Sequence, residues 1–215
     1  MKRSGLQEVY ETHNARRGRG FAILQEDRGS FLRRYIGTGK RVLDIGCRDG
    51  KLTATYATGN TVTGFDIDAD ALRIAHDTIG IDTIQGDLNS DWDIGEQPYD
   101  VVVACEVVEH LYFPRKVCER AAQALVQGGL FIGTVPHAYS LQSRIKFLLG
   151  IKRGTPLQDP THINHFSYRE LVTVLSELFD IVAIETYVPP RYRLFAKIAP
   201  YLFAADLKFV CEKKT

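Results

Sequence analysis

Four cysteines, Cys47, Cys105, Cys118 and Cys211, are scattered over 215 residues with no C-x-x-C pair among them. That spacing excludes a zinc knuckle and a disulfide framework, and a reducing cytoplasm is the simplest home for such thiols. No apolar run approaches the ~20 residues of a membrane span, so a soluble or at most peripheral protein is expected. The opening stretch, MKRSGLQEVYE, has no apolar core of the kind a secretory signal carries. Charge of one sign is also wanting: 27 Lys and Arg stand against 26 Asp and Glu, a formal net charge of +1. The strong general field that draws proteins to nucleic acid is therefore absent, and RNA is an unlikely partner. There is no internal repeat or low-complexity tract. The G-x-G-x-x-G spacing of a dinucleotide turn is missing too, which argues against a nicotinamide-dependent oxidoreductase.

What is present is organised around Arg41 to Gly50, RVLDIGCRDG. Val42, Leu43 and Ile45 form an apolar run suited to the centre of a parallel sheet, and Gly46-Cys47-Arg48-Asp49-Gly50 then turns the chain into an expected helix over 51–58. Such a junction offers free backbone N–H groups at the carboxyl end of a central strand, where open α/β sheets place their ligands. A second apolar run, Asn60 to Asp68, ends in Asp66, placed to accept hydrogen bonds from both hydroxyls of a ribose. Asp44, just before the turn, suits a cationic group better than a pyrophosphate.

With 45% hydrophobic residues, the chain fits one globular domain over 1–215. Met1 to Gly20 is polar and basic, with Arg16, Arg17 and Arg19 crowded together, and reads either as a frayed arm or as a segment folding over a ligand. An amphipathic helix is expected from Phe21 to Ile36, closing an N-terminal helical segment over 1–36. A helix over 68–77 with an aspartate at its start, a third strand over 81–84 and a fourth, DVVVA, over 100–104 follow. Gly128 to Pro136 reads as a turn and fifth strand, with His137 at its end as a loop residue or an acceptor contact. Ser167 with Glu170 forms a capping box for a helix to about Leu178, ahead of a sixth strand over 179–187 and a last strand over 206–211.

The pattern V-L-D-I-G-C-x-x-G, then Asp66, then Gly86-Asp87-Leu88, resembles the class I S-adenosylmethionine-dependent methyltransferases, with the likeness running from about Val42 to Pro136. Arg48 departs from it, since the family usually has glycine there; the side chain either narrows the cofactor pocket or points to solvent. The resemblance implies a Rossmann-like α/β fold: a seven-stranded, mostly parallel sheet with helices on both faces and an antiparallel last strand. It implies that Asp44, Gly46, Cys47 and Gly50 hold the methionine end of S-adenosyl-L-methionine. Asp66 would hold the ribose, Asp87 and Leu88 the adenine, with Ile67 and Cys105 completing the set; Asp87 as a turn cap is the alternative.

The second constellation, Cys105-Glu106-Val107-Val108-Glu109-His110-Leu111, leaves the fourth strand at its carboxyl end. Glu109-His110 can anchor the following loop, and Glu106 or His110 can instead take a proton from a substrate hydroxyl, with His137 a further catalytic candidate. Glu106, Glu109, His110 and His165 can alternatively hold Mg²⁺ or Mn²⁺. In the last respect E-x-x-E-H with a later His-Phe is similar to the ubiquinone-biosynthesis O-methyltransferases and the small-RNA 2′-O-methyltransferases. Residues 138–166 form an expected substrate-cover insertion. In it Leu141, Ile145, Leu148 and Leu149 share a helical face flanked by Arg144, Lys146, Lys152 and Arg153, so 141–153 either packs on the protein's own core or rests on a membrane surface. The expected reaction is O-methylation of a small or lipid-linked metabolite. RNA 2′-O-methylation and a non-catalytic partner protein of the same fold are the alternatives.

Overall fold

Continuous apolar runs become inner strands, as burial on both faces of a parallel sheet requires. In the computed structural model, which describes residues 5, 8, 9, 12, 18–90 and 93–214, β1 (Arg41–Ile45), β2 (Thr61–Asp66) and β4 (Tyr99–Cys105) are buried along almost their whole length. The sheet has seven strands in the order β3-β2-β1-β4-β5-β7-β6. The chain divides into two compact units, Met1–Val103 with Ala124–Val126, and Ala104–Gln123 with Gln127–Thr215.

In the first unit, α1 (Gln25–Ile36) buries Phe31, Leu32 and Ile36, and β1 pairs in parallel with β2, Asp44 lying opposite Gly64. The β2 strand pairs in parallel with β3 (Asp82–Gln85), and β1 with β4 through Val42, Leu43 and Asp44. The connecting helix α2 (Ala69–Ile79) starts where Asp68 accepts the amide of Ala71, so the expected aspartate cap is present. The expected helix over 51–58 is replaced by a single 3₁₀ turn, Thr53–Thr55. Its threonines account for the difference: Thr55 Oγ1 donates to the carbonyl of Leu52, and Thr53 Oγ1 is committed to Asp44, side-chain bonds that compete with α-helix. Arg16 and Arg17 of the basic arm lie outside the described residues.

In the second unit, α3 (Pro114–Ala124) leads to β5 (Leu125–Pro136), and α4 (Leu141–Leu148) lies within the insertion. The chain continues through α5 (Tyr168–Ser176), β6 (Phe179–Tyr187), the short helices α6 (Arg193–Ala196) and α7 (Pro200–Phe203), and β7 (Asp206–Lys213). The capping box of Ser167 and Glu170 is formed in both directions. The β7 strand is antiparallel to both β5 and β6, and the Phe131, Phe179 and Phe209 rings fill the core there at centroid separations of 5.2 and 5.1 Å. Gly133 admits no larger residue, because a Cβ would lie 2.1 Å from the carbonyl oxygen of Ala104.

Candidate functional site

At the carboxyl end of β1 the turn Gly46–Gly50 is bound to the end of β2. The amides of Gly46 and Cys47 donate to the carbonyl of Phe65 at 2.7 and 3.4 Å, and that of Gly50 to Cys47 at 3.0 Å. The amide of Arg48 donates to Asp66 Oδ2 at 2.9 Å, while Asp66 Oδ1 accepts from the amide of Asp68 at 3.0 Å. The expectation of free N–H groups in this turn is thereby corrected, since these four amides hold the turn together. Burial raises the pKa of Asp66 above the usual carboxylate range, and the two amides pull the other way. Each carboxylate oxygen has two lone pairs, so Asp66 keeps capacity for further donors. Gly50 is required twice over: its φ is +72°, and a Cβ would fall 2.8 Å from Ile79 Cδ1.

Asp44 is buried, and its Oδ2 accepts from Thr53 Oγ1 at 2.6 Å and from the Tyr56 hydroxyl. Desolvation nevertheless pushes its pKa up to about 6, against the pull of the two hydroxyls. Cys47 lies over β2, its Sγ only 2.6 Å from where a Cβ on Gly64 would be. Burial first, and Asp44 second, raise this thiol well above its ordinary range, so it stays protonated and unreactive.

Arg48 adopts the left-handed conformation, φ 50°, that a glycine would take without cost. Its guanidinium donates to the carbonyl of Gly18 at 3.1 Å, and the neighbouring Asp49 Oδ2 accepts from the amide of Gly20 at 2.7 Å. Residues 18–20 are thus tied across the glycine turn. The sequence offered a segment folding over a ligand as one reading of this arm, but marked neither Arg48 nor Asp49 as its anchor.

Asp87 is half-buried, and its Oδ1 accepts from both the amide and Nδ2 of Asn89, the turn-capping arrangement. Ile67 and Leu88 are half-buried beside it in sequence, and the carbonyl of Ile67 accepts from Gln85 Nε2 at 3.2 Å. Gly86 is fixed by Phe65, whose Cζ would lie 2.4 Å from an added Cβ.

In the second unit Cys105 is half-buried and Glu106 again has a left-handed backbone, φ 56°. The amide of Glu106 donates to the carbonyl of Thr134 at 3.0 Å, and its Oε1 accepts from Thr134 Oγ1 at 3.3 Å. Next comes a buried 3₁₀ turn, Val108–His110. The closing segment of the insertion is stapled to it: the carbonyl of Glu109 accepts from the amides of Ile163 and Asn164 at 2.9 and 2.8 Å, and Asn164 Nδ2 donates to the carbonyl of Leu111.

His110 Nδ1 lies 3.0 Å from the carbonyl of Thr161, and His162 Nδ1 lies 2.9 Å from that of Pro156. Carbonyls only accept, so each imidazole carries a proton on Nδ1. A ligand atom from each of Glu109, His110 and His162 falls within 4.8 Å of the others. Of the four expected ligands, Glu109 and His110 are members of this group of described residues and Glu106 and His165 are not. His162, three residues before the expected His165, was not among the candidate ligands read from the sequence. His137 is buried; its Nδ1 lies 3.2 Å from the carbonyl of Ala204, and desolvation lowers its pKa, so it is neutral at pH 7.

A family model described as a methyltransferase domain matches residues 16–178. A ubiquinone biosynthesis O-methyltransferase from Klebsiella pneumoniae is 36% identical over 104 residues, 45% of this chain and 43% of that protein. The chain therefore spans less than half the length of this curated relative. The N-methyltransferase NodS from Bradyrhizobium japonicum, in complex with S-adenosyl-L-homocysteine, superimposes with a TM-score of 0.63 at 17% identity, covering 89% of this chain and 87% of that one. A SAM-dependent methyltransferase from Methanosarcina mazei gives 0.64 at 18% identity over 85% and 96%.

Proposed function

The chain belongs to the methyltransferase domain family, and from that premise we propose that it transfers the methyl group of S-adenosyl-L-methionine to an oxygen of a small or lipid-linked acceptor. The observation that carries this reading is Asp66: a buried carboxylate at the end of β2, each oxygen steadied by one amide and each with acceptor capacity left for a ribose hydroxyl. The residues fit the cofactor. Asp44 supplies negative charge toward an ammonium and Asp87 an acceptor toward an adenine amine, while Gly46 to Gly50 keep bulk out of the turn. When bound, the cofactor supplies an activated methyl group, so the protein's part is positioning and proton removal. Glu106, at the end of β4, and the neutral His137, at the end of β5, are the groups we assign to receive the acceptor's proton. The oxygen class rests on the O-methyltransferase relatives and on these proton acceptors.

A second element of the reading is a divalent ion on Glu109, His110 and His162. Two imidazoles held by carbonyls through Nδ1, with the buried Glu109 carboxylate in the same cluster, have the outer-shell arrangement of a metal site. Two nitrogens and one oxygen suit Mn²⁺ better than Mg²⁺, which prefers oxygen throughout. The ion would supply a charge that lowers the pKa of an acceptor hydroxyl.

Calorimetric titration with S-adenosyl-L-homocysteine tests the cofactor assignment. Micromolar binding is expected, weakened about a hundredfold in Asp66→Ala by loss of charge-assisted hydrogen bonds. No heat at millimolar ligand, or equal affinity in the variant, would overturn it.

A further inference from the structure

The insertion was expected to carry an amphipathic stripe, and the second unit exposes more than that stripe. Leu148, Leu149 and Ile151, at the end of α4, are 87, 69 and 45% exposed. Leu194, Phe195 and Ile198, on and after α6, are 71, 56 and 91% exposed. Large apolar side chains this open are ordinary when single; clustered, they mark a contact surface. The segments that carry the two groups adjoin: α4 and 189–205 together line an apolar cavity of about 320 Å³ through Leu141 and Ile145 on one side and Tyr192, Leu202 and Phe203 on the other, and Arg191 donates to Gln142 Oε1 across it.

The charge on the same segments has one sign. Residues 139–158 contain Arg144, Lys146, Lys152 and Arg153, residues 186–205 contain Arg191, Arg193 and Lys197, and neither stretch has an acidic residue. In a chain whose overall balance is +1, that is a strong local segregation. Lys146 Nζ donates to the carbonyls of Arg153 and Gly154, and Arg191 to Gln142 Oε1, so these cations are positioned by neutral acceptors and their charge stays unneutralised.

We propose that this face docks on a bilayer leaflet carrying anionic lipid, the apolar side chains entering the headgroup boundary and the seven cations meeting lipid phosphates. An apolar tip ringed by cations matches a surface that is hydrocarbon below and negative above. The proposal goes beyond the methyl-transfer reading and stands without it, although it brings a lipid-linked acceptor within reach.

Co-sedimentation with phosphatidylcholine vesicles, with and without 30% phosphatidylglycerol, is the test. The intact protein should pellet with the anionic vesicles and remain in solution with the neutral ones, and 0.5 M salt should weaken the association. The double variant Leu148→Glu, Ile198→Glu should lose at least tenfold in partitioning while its melting temperature and its affinity for S-adenosyl-L-homocysteine stay at wild-type values. Neutralising Arg193 and Lys197 together should cost on the order of tenfold or more, from about 1 kcal/mol per cation. Absence of binding to anionic vesicles, equal binding by the double variant, or a wild-type dimer that the double variant converts to monomer without any vesicle binding would each overturn the proposal. Loss of S-adenosyl-L-homocysteine binding by the wild type would bear only on the methyl-transfer reading.

Discussion

His110 and His162, far apart in sequence, meet edge to face with ring centroids 4.8 Å apart, and each ring gives its Nδ1 proton to a backbone carbonyl. The insertion thus places a second imidazole beside the first, with the Glu109 carboxylate 3.9 Å from His110 Nε2.

From that pairing, His162→Ala should weaken Mn²⁺ binding at least tenfold, measured by calorimetry or by the electron paramagnetic resonance signal of free Mn²⁺. His165→Ala should leave it within twofold. The opposite ranking would return the ligand set to the one read from sequence, and no binding by the wild type would remove the ion.

Asp44 makes the fold pH-dependent in a defined direction. Its folded value, about 6, lies above the 3.8 of an ordinary aspartate, so the stability gained by carrying a proton is complete below about pH 4 and is lost as the pH rises through 6. Above that, the buried anion costs about 3 kcal/mol, at about 1.4 kcal/mol per pKa unit. Asp44→Asn, which keeps an acceptor for Thr53 and Tyr56, should therefore melt several degrees higher than wild type at pH 7.5, with the gap closing near pH 4. A gap of equal size at both pH values would refute this account. The same variant should bind S-adenosyl-L-homocysteine more weakly at pH 7.5, where the ligand's ammonium loses its counter-charge.

Arg48→Gly separates backbone from side chain. It removes a left-handed non-glycine residue, worth roughly 1 kcal/mol, and deletes the bond to Gly18, worth a similar amount. The melting temperature should move by no more than a few degrees, whereas tryptic cleavage after Arg19 should accelerate severalfold because the strap is released. Unchanged cleavage, followed by mass spectrometry, would show that Asp49 and Gly20 hold the segment alone.

Elements governed by local rules were legible in the sequence. The β6 range of 179–187 and the capping box of Ser167 and Glu170 follow from side-chain pattern and from groups three residues apart. The strand ends that carry Asp44 and Asp66 were equally plain, because buried parallel strands write themselves as apolar runs. What escaped depends on partners distant along the chain. Thr53 gives its hydroxyl to Asp44, so the expected helix after the turn shrinks to one 3₁₀ turn. Arg48 takes a backbone conformation that its residue type disfavours, and its reach to Gly18 spans 30 positions. The exposure of Leu148 and Ile198 likewise follows from packing, since an apolar stripe reads the same whether it is covered or bare.

The staple between the 109–111 turn and the 161–166 tail sets a boundary for exchanging parts among relatives. A cassette cut at 138 and 166 carries away the amides that Glu109 receives and leaves Glu109, His110 and Leu111 behind to be matched by a foreign tail. The insertion of this chain is therefore not a transplantable loop. A chimera that respects the seam must take the short turn after β4 along with it.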